Sequence, residues 1–419
     1  MPVFALVDCN NFYASCERLF QPQLNNKAVI VLSNNDGCVV ARSQEAKQLD
    51  IPMGVPYFKV KALCDRHHVA VFSSNYQLYG DLSQRVMATL RQFTPDLEVY
   101  SIDEAFLSLD GFSQLDLTAY AQEIRAKVKQ WTGIPVSIGI GPSKTLAKVA
   151  NHVAKRRTQT GVFDLCDPTL QSDILATLPV REIWGIGRQW AKKLPEFGIE
   201  TALQLRQADP ALIRSHFTVV GERLVRELNG VSCLALEGMA AKQTIMSSKS
   251  FGAVQTEFQP IAEALSCYAA RACEKLRKQG SKAQGIYVML RTSKFRHDSP
   301  QYSNGMNYGF PIPTGDTRTI VKAAKHCLKQ IYRPGYAYQK TGVMLTDLVS
   351  ETVRQQDLFL RGDDSRSEQL MQVMDQVNGR MGRNTLYLAA QGMNRSWRMR
   401  CDRRSPRYTT QWDELASVS

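Results

Sequence analysis

The chain has 419 residues and carries 52 Lys and Arg against 39 Asp and Glu, a net charge of +13. Hydrophobic residues make up 44% and charged residues 22%, which excludes a disordered chain. At roughly 100–200 residues per domain, the length predicts two to four domains, each able to bury a core. The ten Cys contain no CxxC pair and the six His no metal-ligand spacing, which argues against zinc modules and for reduced thiols in the cytoplasm. The opening Met1-Pro2-Val3-Phe4 enters an apolar run without a basic leader, and no apolar stretch approaches the roughly 18 residues of a membrane span.

In chain order, Val3 to Asp8 reads as a strand with apolar residues on both faces, hence central in a sheet. Asn10-Asn11 can cap the helix that follows, Phe12 to Phe20. Ala28 to Ser33 reads as a second strand running into the turn Asn34-Asn35-Asp36-Gly37. Tyr79, Leu82, Val86, Leu90 and Phe93 fall at helical spacing within 76–93. Leu97 to Ile102 and Ala105 to Asp110 read as two strands linked at Asp103-Glu104. A helix over 117–131, a strand from Val136 to Ile140 and a basic helix after Gly141-Pro142 complete the unit. With 20–75 set aside as an insertion, the order is the split βαβ, ferredoxin-like one. Residues 170–235 look like short helices broken by Gly and Pro. Residues 242–350 form a further mixed unit, with a Gly/Asn/Pro-rich loop at 303–316, and the remainder is polar and Arg-rich.

Mapping the charge gives three basic runs: 142–157 with five basic residues and no acid, 266–296 at +7, and 395–408 at +5. One run alone is an ordinary solvated helix face; three favour a track for a nucleic-acid backbone. Residues 96–110 reverse the sign, with Asp96, Glu98, Asp103, Glu104 and Asp110 and no Lys or Arg. Carboxylates among strand formers are costly to desolvate unless a cation compensates them. None lies nearby in sequence, which points to a bound metal; the plain alternative is a hairpin with an acidic turn.

Asp8 ends the first strand, and the split βαβ order lets it converge with Asp103 and Glu104. Adjacent strand residues point to opposite faces, so Asp103 and Glu104 serve one site only if the chain turns or bulges there. Three oxygen donors suit Mg²⁺, and two such ions would clamp both oxygens of a phosphoryl transfer. Gly139-Ile-Gly141-Pro-Ser-Lys144-Thr145 mimics a P-loop but lacks the Gly before its Lys, and Pro142 removes an N–H donor. Lys144, Lys148 and Lys155 remain candidate phosphate contacts. Gly185-Ile186-Gly187-Arg188 before Lys192 and Lys193 resembles the hairpin of a helix-hairpin-helix motif, whose backbone can approach a DNA phosphate.

Asp8-Cys-Asn-Asn-Phe-Tyr13, Tyr100-Ser-Ile-Asp103-Glu104-Ala105, Lys144-Thr-Leu-Ala-Lys148 and Trp184-Gly-Ile-Gly187 together resemble the Y-family translesion DNA polymerases. Ser33-Asn-Asn-Asp-Gly-Cys38 and Ser405-Pro-Arg-Tyr-Thr-Thr410 are similar to the UmuC branch of that family, the catalytic subunit of bacterial polymerase V, or to its mobile-element relatives. The resemblance implies an α+β right hand: a ferredoxin-like palm (1–19 and 76–165), fingers (20–75), a helix-hairpin-helix thumb (166–235), an α/β little finger (242–350) and a C-terminal tail (351–419). It implies error-prone, template-directed DNA synthesis past damage in the SOS response. Asp8, Asp103 and Glu104 would be catalytic and hold two Mg²⁺ ions, with the Cys9 carbonyl as a further ligand. Asn11, Phe12, Tyr13, Lys47 and Lys155 would bind the nucleotide, with Tyr13 as the gate against a 2′-hydroxyl and Lys155 on the triphosphate. Gln44-x-x-Lys47 departs from the family's commoner Tyr-x-x-Arg, and Lys lacks the bidentate fork of Arg.

Gln355-Gln356-Asp357-Leu358-Phe359 resembles a clamp-binding pentapeptide, with Gln355, Leu358 and Phe359 as its anchors. The resemblance further implies primer-template DNA, dNTP, the β sliding clamp, a cleaved UmuD-type dimer and the RecA filament as partners. It places the protein in the cytoplasm at the nucleoid and off the membrane. A metal-dependent nuclease and a non-catalytic repair scaffold are the alternatives to a polymerase.

Overall fold

The computed structural model describes residues 2–112, 114–238, 241–296, 298–352 and 363–415. The chain divides into two compact units, one of residues 1–33, 37–239 and 403–419, the other of residues 34–36 and 240–402.

The first unit opens with β1 (Phe4–Cys9), buried on both faces, and α1 (Phe12–Phe20). Asn11 holds the N-cap position of α1 with φ +49, but its side chain makes no capping bond. It accepts instead from Lys47 Nζ at 2.7 Å, so the expected cap is replaced by a long-range tie. Residues between α1 and the next long helix build a small sheet from β2 (Val29–Leu32), β3 (Val39–Arg42) and β4 (Ala70–Ser73), with α2 (Gln44–Gln48) and α3 (Tyr57–Arg66). Its order is β3-β2-β4, with β2 and β4 parallel.

Next, α4 (Tyr76–Leu90) is capped by Asn75, whose Oδ1 accepts from the Leu78 N–H. The hairpin β5 (Leu97–Val99) and β6 (Glu104–Ser108) follows. Then α5 (Leu117–Thr132) starts at the Asp116 cap and ends at Gly133, whose φ of +72 only Gly adopts freely. β7 (Val136–Gly141), α6 (Lys144–Arg157) and the short edge strand β8 (Val162–Asp164) complete the sheet. Its order is β5-β6-β1-β7-β8, with β1 antiparallel to both β6 and β7. The first four strands have the split βαβ order; β8 adds a fifth, parallel to β7. Helix α6 packs so closely on β7 that a Cβ at Gly139 would stand 2.0 Å from the Asn151 nitrogen.

Residues 168–228 of the unit are mainly helical: α7 (Pro168–Thr177), α8 (Arg188–Lys193), α9 (Ala202–Gln207) and α10 (Pro210–Leu228), the last broken at Phe217 and Thr218. Glu227, fully buried near the end of α10, accepts from the N–H groups of Thr145, Cys233 and Leu234. Its main-chain carbonyl accepts from the Ser143 hydroxyl at the start of α6. This enclosure of Ser143 leaves no phosphate cradle at the β7–α6 junction, in keeping with the missing Gly of the P-loop pattern.

The second unit is a four-stranded antiparallel sheet, order β11-β10-β12-β9, from β9 (Ile245–Gln255), β10 (Ser281–Thr292), β11 (Ser303–Thr314) and β12 (Tyr338–Ser350). The long α11 (Phe258–Lys278) and α12 (Thr317–Ile331) cover it, with Leu265, Leu276, Ile320 and Leu328 in the shared core. Residues 303–316, which read as a loop, are largely β11: Asn304, Asn307 and Gly309 sit on an edge strand whose outer side tolerates them. Helix α13 (Ser365–Arg380) is tied to this body by a bidentate Arg277–Asp375 pair and by Lys282–Glu368.

Candidate active site

Asp8 and Glu104 are register partners across β1 and β6, so their side chains share one face of the sheet at its end. Asp103 lies one residue earlier in the hairpin turn, where the Cys9 N–H donates to its carbonyl. The turn that Asp103 and Glu104 need is supplied by Ser101. Its Oγ accepts from the N–H of Asp103 (3.2 Å) and of Glu104 (3.0 Å), and its hydroxyl donates to Asp103 Oδ1 (2.6 Å). A serine turn of this kind competes with the strand ladder and redirects the chain. Sequence reasoning asked for a turn here and overlooked Ser101, two residues before Asp103, as its signal.

The missing cations come from α6. Lys144, Lys148 and Lys155 are spaced i, i+4 and i+11, which puts them on one helical face. Lys144 bonds Glu98, Lys148 Nζ reaches both Glu104 oxygens at 3.1 Å, and Lys155 pairs with Asp8 at 2.5 Å. The first basic run thus offsets Glu98 and Glu104 of the acidic stretch and Asp8 outside it. Lys144 is buried and also donates to the Ala235 carbonyl, so it is not a phosphate contact, contrary to the sequence expectation.

Electrostatics follow from this crowding. Burial pushes the Asp8 carboxyl up to about 7; Lys155 opposes that rise and the Glu104 carboxylate adds to it. Cys9 is buried, and burial together with Asp8 and Asp103 raises its thiol well above the ordinary range. A protonated thiol is a poor ligand, which leaves only hard oxygen donors. Three carboxylates of this kind fit Mg²⁺ in chemical type. Among the described residues, no group of three or more His, Cys, Asp and Glu side chains is already gathered into a metal cage.

Tyr13 is half-buried on α1, and its ring stacks on that of Tyr79 at 4.3 Å with an 18° tilt. Tyr76 meets it edge-on at 6.3 Å. Burial, with Tyr76 and Asp103 nearby, pushes the Tyr13 phenol up to about 12. Asn11 and Lys47 come together through their hydrogen bond, and burial, then Arg42 and Lys155, lowers the Lys47 ammonium. The side chain of Phe12 is 97% removed from solvent in the core of the first unit, so only its main chain is left to meet a ligand. Gly185 has φ +91 and Gly187 caps α8, with open space around both Cα atoms. Beside them, Trp184 Nε1 donates to the Tyr100 hydroxyl at 3.1 Å, and Lys148 lies over both rings. That aromatic bracket joins the glycine turn to the carboxylate hairpin and had no signal in periodicity. Ile186 packs on the helical core, and Arg188 opens α8. Gln355, Leu358 and Phe359 lie outside the described residues.

Comparison with known proteins gives a consistent picture. A model of the impB/mucB/samB family matches residues 7–152, the model of that family's C-terminal domain matches 242–358, and the domain of unknown function DUF4113 matches 368–418. The chain is 48% identical to Protein UmuC of Salmonella typhimurium, over 99% of this chain and 100% of that one. It is 44% identical to Protein MucB of Escherichia coli over 99% of each, and 27% identical to DNA polymerase IV 1 of Bacillus subtilis over 90% of each. Among solved structures, a Y-family DNA polymerase chimera of Dbh and Dpo4 superposes with a TM-score of 0.66 at 22% identity, covering 83% of this chain and 99% of that one. DinB from Sulfolobus solfataricus superposes at 0.53 and 21%, with the same coverage.

Proposed function

The chain belongs to the impB/mucB/samB family, and from that premise we propose how its residues carry out the reaction. It is a DNA-directed DNA polymerase of the Y family, of the UmuC kind, and copies past damaged template bases in SOS mutagenesis. The observation that carries the site assignment is the register of Asp8 with Glu104, with Asp103 turned beside them by Ser101. We assign these three carboxylates, with the Cys9 carbonyl, as the holders of two Mg²⁺ ions. When bound, the ions would activate the primer 3′-hydroxyl and screen the charge of the triphosphate and leaving pyrophosphate.

The chain's own residues do the rest. Lys155 and Lys148 hold Asp8 and Glu104 in place and offset their mutual repulsion. Lys155, at the end of α6, is also the candidate grip on the triphosphate, with Lys47 fixed by Asn11. Tyr13 presents a rigid ring, backed by Tyr79, against the face where a 2′-hydroxyl would sit. The Gly185–Arg188 turn would meet DNA phosphates through its main chain. For the functional parts we propose the sequence reading: palm 1–19 and 76–165, fingers 20–75, thumb 166–235, little finger 242–350 and tail 351–419, the tail being shared between the two compact units at residue 403.

Primer-template DNA and dNTP are the substrates. The β clamp at Gln355–Phe359, a UmuD-type dimer and the RecA filament are proposed partners, and the nucleoid in the cytoplasm the proposed location. Among the described residues no helix is long and apolar enough to cross a membrane. Asp103→Ala should abolish primer extension while leaving primer-template binding largely intact. Extension retained in that variant would remove the assignment. Incubation of duplex DNA with Mg²⁺ and no dNTP should give no cleavage; cleavage would favour a nuclease.

A further inference from the structure

Residues 403–415, far from Tyr13 in sequence, pack within the same unit beside α1 and α4. Arg403 and Ser73 tie the segment down: the Arg403 N–H donates to Ser73 Oγ and the Ser73 N–H to the Arg403 carbonyl, each at 3.0 Å. Asn75 Nδ2 then donates to the Ser405 carbonyl, to Ser405 Oγ and to the Pro406 carbonyl. The Tyr408 ring stacks on Phe20 at 4.5 Å, and Arg407 closes the turn on Glu414. Ser405 is 4% exposed.

The Ser405 hydroxyl donates to Glu17 Oε1 at 3.0 Å, and the Tyr79 hydroxyl donates to the same oxygen at 2.6 Å. Glu17 and Tyr79 are fully buried, and among the described residues Glu17 Oε2 has no partner, so these two hydroxyls orient the carboxyl. Tyr79 is therefore held at its hydroxyl by Glu17, and its ring backs Tyr13. A continuous chain of contacts runs from the tail through Ser405, Glu17 and Tyr79 to the ring facing the nucleotide sugar.

We propose that the Ser405–Tyr408 segment is a positioning element for sugar selection: its Ser405 hydroxyl fixes Glu17, Glu17 fixes Tyr79, and Tyr79 sets the depth of the Tyr13 ring. This rests on the reading of Tyr13 as the sugar gate. A side chain supported on one face only keeps its rotamer if the support is itself locked, which is what the tail supplies. The two tyrosine rings and the tail contribute no atom to the chemistry; their effect is on discrimination between sugars.

The test uses the full chain on primer-template DNA and compares kcat/KM for a ribonucleotide and its deoxynucleotide. Ser405→Ala should raise the ribonucleotide-to-deoxynucleotide ratio about fivefold, mainly through a lower ribonucleotide KM, while Ser405→Thr keeps the ratio. Tyr79→Phe, which keeps the ring and removes the link, should do the same. Because both act on one chain of contacts, the double variant should relax selection no further than either alone. Tyr13→Ala is the reference and should relax it most. If Tyr13→Ala relaxes selection but Ser405→Ala and Tyr79→Phe do not, the tail has no such role and the gate stands. If Tyr13→Ala changes nothing, the gate assignment falls and the positioning role with it. Equal losses for both sugars in Ser405→Ala would mean a structural strut only, and would also overturn the proposal.

Discussion

Glu17 offers the most direct physical test of the packing behind the proposed nucleotide site. Burial raises its carboxyl from the ordinary 4.5 to about 7, because the two hydroxyl donors do not repay the loss of water. The folded state therefore keeps a proton that the unfolded chain releases between pH 4.5 and 7. This stabilises the fold at low pH and is lost as the pH rises through 7, after which the dependence is flat. At about 1.4 kcal/mol per pK unit, the full penalty above pH 7 is roughly 3 kcal/mol, most of which develops between pH 5 and 8. Glu17→Gln keeps an oxygen to accept from Tyr79 and Ser405 but has no proton to lose. The variant should nearly match the parent near pH 5 and exceed it by about 2–3 kcal/mol at pH 8. Native-state hydrogen exchange at the α1 amides reads this opening locally, without requiring the two units to unfold together. A difference that stays constant between pH 5 and 8, or grows with the opposite sign, would falsify the account of Glu17 as a desolvated carboxyl.

Glu227→Ala leaves the N–H groups of Thr145, Cys233 and Leu234 without their acceptor and should cost about 3 kcal/mol or more, read by denaturant unfolding; a loss under about 1 would contradict the hub role. Gly139→Ala places a methyl 2.0 Å from a main-chain nitrogen and 2.4 Å from the Ala147 carbonyl, so α6 must move off the sheet. That variant should lose about 3 kcal/mol and most primer extension, since α6 carries Lys148 and Lys155. Lys155→Ala should raise the dNTP KM about tenfold with a smaller change in kcat, and an unchanged KM would take Lys155 off the triphosphate.

How much of this was legible in the sequence depends on range. The order of strands and helices around the first sheet is visible because buried strands read as unbroken apolar runs and the helices have clear periodicity. Once the split βαβ order is granted, Asp8 must meet the 103–104 link. Interactions decided by tertiary position were not legible. Asn11 looks like a cap by type and place, yet its side chain goes to Lys47, 36 residues away. Lys144 looks like a free phosphate ligand because nothing acidic precedes or follows it, yet it is buried against Glu98. Residues 303–316 read as a loop because an edge strand with one outward side accepts Gly, Asn and Pro. Ser405 was noticed only for its resemblance, since its packing on Glu17 joins residues 388 apart.

The charge surplus and the acidic stretch turn out to be coupled parts of one design. Directly opposed carboxylates on adjacent strands repel, and burial would drive them to protonate. A single helical face of three lysines, laid across the end of the sheet, opposes that without closing the site: Lys144 is sealed, whereas Lys148 and Lys155 remain partly open. The gradient has a functional sense. The sealed pair anchors α6 to the hairpin. On the proposed assignment, the two open lysines would be released to an incoming triphosphate as metal ions take over the carboxylates. Positive charge in the first basic run therefore does less to hold DNA than its count suggests, and more to keep together the carboxylates proposed as catalytic. The second and third runs are thinned in the same way, by Arg277–Asp375, Lys282–Glu368 and Arg407–Glu414. What is left for the nucleic-acid backbone is the unpaired remainder. The salt dependence of primer-template binding should therefore reflect fewer ions than three full runs would release.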